Sequence, residues 1–120
     1  MATTKILGAW GETLAAQYLQ KKRYRLEAAG YRCKYGEIDL IVTDRKYLVF
    51  VEVKLRKSGG VTRPADAVGR AKQSRLRATA DIWLAQNPEY SGMETDFTVA
   101  QLYTNAEGMI EKMELIEEAF

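Results

Sequence analysis

The chain has 120 residues, 47% hydrophobic and 28% charged, with a formal net charge of +2, which fits one globular domain, residues 1–120, around a single core. It contains no histidine and one cysteine, Cys33, which excludes serine–histidine and cysteine–histidine catalysis, His-ligated or cysteine-rich zinc sites and any internal disulfide. Enzyme chemistry would have to come from carboxylates, lysines and a metal-bound water.

The small net charge hides a segregation. Residues 1–88 carry a balance of +9 and residues 89–120 one of −7; a local basic surface gathers phosphates, although solvated helix faces explain the same charges equally well. No apolar run is long enough to span a bilayer. The first apolar stretch is broken by Gly8, Gly11 and Glu12 and so does not read as a signal peptide. The expected location is the cytoplasm, with no membrane partner.

From an N-cap at Thr3 or Thr4 to about Gln20, Ile6, Leu7, Trp10, Leu14, Tyr18 and Leu19 recur at helical spacing. Gly11 lets this helix approach a strand or ligand closely, and Glu12 follows it. Lys21, Lys22, Arg23 and Arg25 suit the helix C-terminus. Tyr24, Leu26 and Ala28, then Tyr31, Cys33 and Tyr35, alternate with polar residues and predict a first strand, bulged at Gly30.

Ile38–Val42 and Leu48–Val53 are apolar runs rich in β-branched residues, joined by Asp44, Arg45 and Lys46. They predict a β-hairpin. Glu37, Asp39, Glu52 and Lys54 place four charges in or beside these otherwise buried strands, where unpartnered charge costs several kcal/mol. Residues two apart share a strand face, so Leu48, Phe50, Glu52 and Lys54 point one way and Val49, Val51 and Val53 the other. Asp39 and Glu52, with strand carbonyls such as that of Val53, are hard oxygen ligands suited to Mg2+ or Mn2+.

Leu55–Thr62, with Arg56, Lys57 and Gly59-Gly60, reads as a mobile basic loop. From Pro64 to about Gln86, Ala67, Val68, Ala71, Leu76, Ala80, Trp83 and Leu84 repeat at three and four, predicting a second helix stopped by Asn87-Pro88. Its other face offers Arg70, Lys72, Gln73, Arg75 and Arg77, which with Arg56, Lys57 and Arg63 form a candidate cationic surface for nucleic acid. Asp96–Tyr103 and Met109–Ile116 predict a second hairpin turning through Asn105–Gly108.

Asp39 followed by Glu52-Val53-Lys54 across a hairpin resembles the Asp…Glu-x-Lys signature of the restriction-endonuclease-like nucleases. More closely, Gly11-Glu12, Gly36–Ile41, Val49–Lys54 and Ala67-Val68 with Lys72 and Arg75-Leu76 resemble the bacterial YraN-like family, related to Holliday-junction resolvases. The resemblance implies an α/β fold with a mixed central sheet of about five strands flanked by helices, and Mg2+- or Mn2+-dependent hydrolysis of DNA, branched DNA included. It implies Asp39, Glu52 and Lys54 as catalytic residues, Glu12 as a further metal ligand, and a polar residue lent by the second helix, Lys72 or Gln73. Symmetric cleavage of two strands would call for a homodimer. The chain departs from the family at Asp96-Phe97-Thr98-Val99, where Arg-Phe-Asp-Val is expected. A non-catalytic nucleic-acid-binding module, or a structural domain in which Lys54 neutralises Glu52 and Asp39, are the competing readings.

Overall fold

The computed structural model describes residues 4–57 and 68–120, with the backbone alone for 4–10. Helix α1 (Thr4–Lys21) precedes strands β1 (Arg25–Cys33), β2 (Gly36–Thr43) and β3 (Tyr47–Lys57). Helix α2 (Arg70–Gln86), a 3-10 turn at Pro88–Tyr90, and strands β4 (Glu94–Thr104) and β5 (Ile110–Ile116) follow. The strands form one sheet in sequence order. Pairing is antiparallel except between β3 and β4, and that parallel pair is what requires the α2 crossover. This is the expected mixed α/β architecture of five strands and two flanking helices.

Each helix covers one face of the sheet. Under α2 lie Ile38, Ile41, Leu48, Phe50, Phe97 and Val99 with Leu76, Ala80 and Trp83; Phe50 meets Trp83 edge-on at 6.2 Å and stacks on Phe97 at 5.3 Å. Under α1 lie Leu40, Val42, Val49, Val51 and Ala100 with Ala15 and Leu19. The alternation expected for β3 holds throughout. On β2 it slips at Asp39, because Ile38 and Ile41 both lie under α2 while Leu40 lies under α1.

The β2–β3 hairpin turns at Asp44, whose carboxylate accepts hydrogen bonds from the backbone N–H groups of Lys46 (2.8 Å) and Tyr47 (2.7 Å). Short polar side chains stabilise tight turns in this way. At Gly11 an added Cβ would stand 3.2 Å from Leu102 Cδ1 and 3.4 Å from Leu55 Cδ2, so the missing side chain seats α1 directly on β3 and β4.

Three expectations about boundaries are corrected. The register of β1 shifts between Leu26 and Ala28, so its bulge falls at Glu27; Gly30 instead takes a left-handed conformation, φ +63°. Leu55, Arg56 and Lys57 belong to β3 and pair with Leu102, Tyr103 and Thr104; β4 extends the strand beyond its apolar run by supplying a parallel partner. Helix α2 begins at Arg70, since Gly69 is extended at φ −73°, ψ 165°, and glycine is a poor helix former. Gly59-Gly60, Arg63, Pro64 and Ala67 lie outside the described residues.

Candidate metal and phosphate centre

β2 and β3 pair from Thr43–Leu48 as far as Leu40–Val51 and then separate. Asp39 fills the opening, and its Oδ2 accepts a hydrogen bond from the Val53 N–H at 2.8 Å. A side chain thus replaces the lost strand partner and fixes the carboxylate. Glu12 of α1 and Glu37 of β2 join it: each of the three residues offers a carboxylate oxygen, and these oxygens lie within 4.8 Å of one another. Arg32 approaches Glu37 from β1, Nε to Oε2 3.3 Å.

Glu52 stands beside this group on β3, buried at 8% exposure. Its Oε1 takes Lys72 Nζ from α2 at 2.5 Å and Lys54 Nζ at 3.5 Å. Burial, the charge of Glu52, and the bond and charge of Glu12 raise the Asp39 carboxyl to about 8, against the Val53 N–H, which pulls it down. Asp39 is therefore an acid for which burial and repulsion together outweigh its fixed partner. Burial disfavours the charge of Lys72, yet its bond to Glu52 outweighs this and holds its pKa above the usual value. Lys54 shifts the other way: burial and the neighbouring Lys72 lower it, and its longer contact with Glu52 does not compensate.

The acids fit a divalent cation. Hard oxygen ligands from a helix and one strand converge where burial and mutual repulsion have made the charge of Asp39 expensive, and a dication would supply the missing compensation. Glu12, Glu37 and Asp39 are the candidate ligands that the geometry groups, with Glu52 at their side.

Not every expected residue joins the centre. Glu12 and Asp39 come together with Glu37, whereas Glu52 forms an adjoining ion cluster with Lys54 and Lys72 outside that group. Val53 contributes its N–H to Asp39. Gln73 is turned away, its Nε2 donating to the Val68 carbonyl at 3.0 Å. Arg56 Nε donates to Gln101 Oε1 at 3.1 Å; Lys57, Arg70 and Arg75 are exposed. Asp96 pairs opposite Val49, at the other end of the sheet from Glu52 and Lys54.

From the sequence, Glu37 stands among the charges needing compensation but not among the ligands. Its spacing of two from Asp39 on one strand was the available signal. Gln101, 1% exposed, was missed as well. It sits opposite Lys54 on β4 and links Arg56 to Tyr103 through side-chain bonds of 3.1 and 3.2 Å.

Residues 11–103 match the model of the uncharacterised protein family UPF0102. The chain belongs to that family. A UPF0102 protein of Caldanaerobacter subterraneus subsp. tengcongensis is 38% identical over 117 residues, 97% of this chain and 95% of the relative. One from Caldicellulosiruptor bescii is 34% identical over 116 residues, 97% and 98% of the two chains. One from Clavibacter michiganensis subsp. michiganensis is 44% identical over 92 residues, 77% and 78%. The UPF0102 span runs from Gly11 to Tyr103, so it takes in Glu12, Glu37, Asp39, Glu52, Lys54 and Lys72 and stops before β5. No helix among the described residues is long and apolar enough to cross a membrane.

Proposed function

We propose that this UPF0102 protein is a metal-dependent endonuclease of the restriction-endonuclease-like kind, hydrolysing phosphodiester bonds in DNA, branched or junction DNA included. The observation that carries this reading is the convergence of Glu12, Glu37 and Asp39 within 4.8 Å, beside Glu52 and its two lysines, where the β2–β3 hairpin opens. Asp39, Glu12 and Glu37 would hold Mg2+ or Mn2+, with the Val53 carbonyl and the second oxygen of Glu52 as further donors. A divalent ion at that place supplies Lewis-acid polarisation of a phosphoryl group and a more acidic water.

The chain's own residues do the rest. Val53 N–H fixes the Asp39 carboxylate, so its approach to the ion costs little reorganisation. Lys54, whose proton is held less firmly than usual, orients the attacking water, takes up its proton and offsets charge on the phosphoryl oxygens. Lys72 donates to Glu52 and aims its carboxylate. Lys57, Arg70 and Arg75, all exposed, would be the phosphate contacts.

The test is incubation of supercoiled, linear and four-way-junction DNA with Mg2+ or Mn2+. Cleavage that disappears in Asp39→Asn and in Lys54→Ala supports the reading; cleavage that survives both belongs to a contaminant, and no cleavage of any substrate overturns it. One observation favours a second reading: Glu52 is already paired with two lysines, as in a purely structural ion cluster. Calorimetric titration with Mn2+ separates the two. Absence of binding, unchanged in Glu52→Ala, selects the cluster.

A further inference from the structure

β5 is one of the two edges of the sheet, and among the described residues nothing pairs with its outer side. Exposed edges invite pairing unless they are interrupted or charged against it. The other edge, β1, is interrupted by the register shift before Ala28 and by Gly30 at φ +63°. β5 follows a regular register from Lys112 to Ile116, and its charges are self-complementary: Ile110-Glu111-Lys112-Met113-Glu114-Leu115-Ile116 reads apolar–acid–base–centre–acid–apolar–apolar.

We propose that the β5 edge pairs antiparallel with the β5 edge of a second copy of this chain, on a two-fold axis through Met113. In that register Lys112 of each copy stands opposite Glu114 of the other. Axes through the neighbouring residues would set Lys112 against Lys112 or Glu114 against Glu114, and like charges directly opposite are destabilising. Charge complementarity therefore selects one occupant and one register. The Lys112–Glu114 contact within a chain, 3.8 Å between exposed groups, is easily exchanged for one between chains.

The apolar side of the strand agrees. Met113 packs toward α1 and lines, with Leu14, Tyr18, Leu102 and Ile110, a groove of about 380 Å3 between α1 and β5. The two-fold axis brings both copies of Met113 side by side, next to the grooves that each helps to line. A continuous ten-stranded sheet results, in which the two β3 strands are five strand spacings apart, about 24 Å across the ladder. The pairing does not depend on phosphodiester chemistry.

Sedimentation velocity of the full chain across the micromolar range tests it. A dimer is expected, weakened about tenfold or more by Lys112→Glu and by Glu114→Lys separately and restored by the double exchange. A monomer throughout, or a dimer indifferent to all three variants, overturns the proposal. Circular dichroism checks that the variants fold. If a single variant misfolds, amide exchange on the wild type decides: exchange at Lys112–Leu115 should slow as concentration rises, and exchange independent of concentration refutes the pairing.

Discussion

Two groups of acids sit at opposite ends of one sheet and differ in what satisfies them. At the end where β2 and β3 separate, Asp39 has one backbone N–H and otherwise faces Glu12, Glu37 and Glu52. At the far end, Asp44, Glu94, Asp96, Glu117 and Glu118 surround a cavity of about 310 Å3 with Tyr24 and Tyr47. There Asp44 accepts from the Lys46 and Tyr47 backbone, and Asp96 from the Glu118 N–H at 3.1 Å and the Thr98 hydroxyl at 2.8 Å. The far group is larger, yet donors answer its aspartates. Burial and repulsion, rather than the number of carboxylates, make a cluster costly to keep charged.

The sharpest way to break this contrast is by Mn2+ calorimetry. Asp39→Asn should abolish binding, and Asp96→Asn should leave it within a factor of about two, as for a change outside the ligand shell. Equal losses from both variants would erase the distinction between the two ends.

Next in size is the ion pair supporting Glu52. Lys72→Met leaves a buried carboxylate with only the longer Lys54 contact and should cost about 1–3 kcal/mol in urea denaturation. Glu118→Ala, which removes an exposed far-end side chain, should stay within about 0.5 kcal/mol.

The pH response is smaller and has a definite sign. Asp39 rises from 3.8 to about 8 on folding, so the folded chain holds that proton more tightly than the unfolded chain does. Its stabilising contribution is complete below about pH 4 and is lost as pH rises through about 8. Metal-free wild type should therefore lose more thermal stability than Asp39→Asn between those values, a Tm difference of about 5 °C. Mn2+ affinity should climb over the same window as the proton is displaced. Identical pH profiles for the two proteins would show that Asp39 does not titrate there.

Much of this arrangement was legible in the sequence because it is local. Alternation in Leu48–Lys54 placed Glu52 and Lys54 on one face, and Asp44 marked the turn. The helix at Leu14 and Leu19 and the stop at Asn87-Pro88 followed from spacing and proline. What escaped was non-local. Nothing in Leu55-Arg56-Lys57 announces a strand until β4 lies parallel beside it. The choice of Lys72 over Gln73 depends on how α2 rotates onto the sheet, with Gln73 bonded back to Val68. The two-residue spacing of Glu37 from Asp39 was legible, but the slip of β2 between Ile38 and Leu40 is a distortion that period-two reasoning cannot anticipate.

Gly11 gives the acid cluster an adjustable dimension. With only 3.2 Å between a would-be methyl and Leu102, alanine there would act as a shim, lifting the helix that carries Glu12 while β2 keeps Asp39 and Glu37 in place. The size of any cation that the three carboxylates would grip would thus be governed by helix seating, one carbon atom at a time, without any change to the carboxylates themselves.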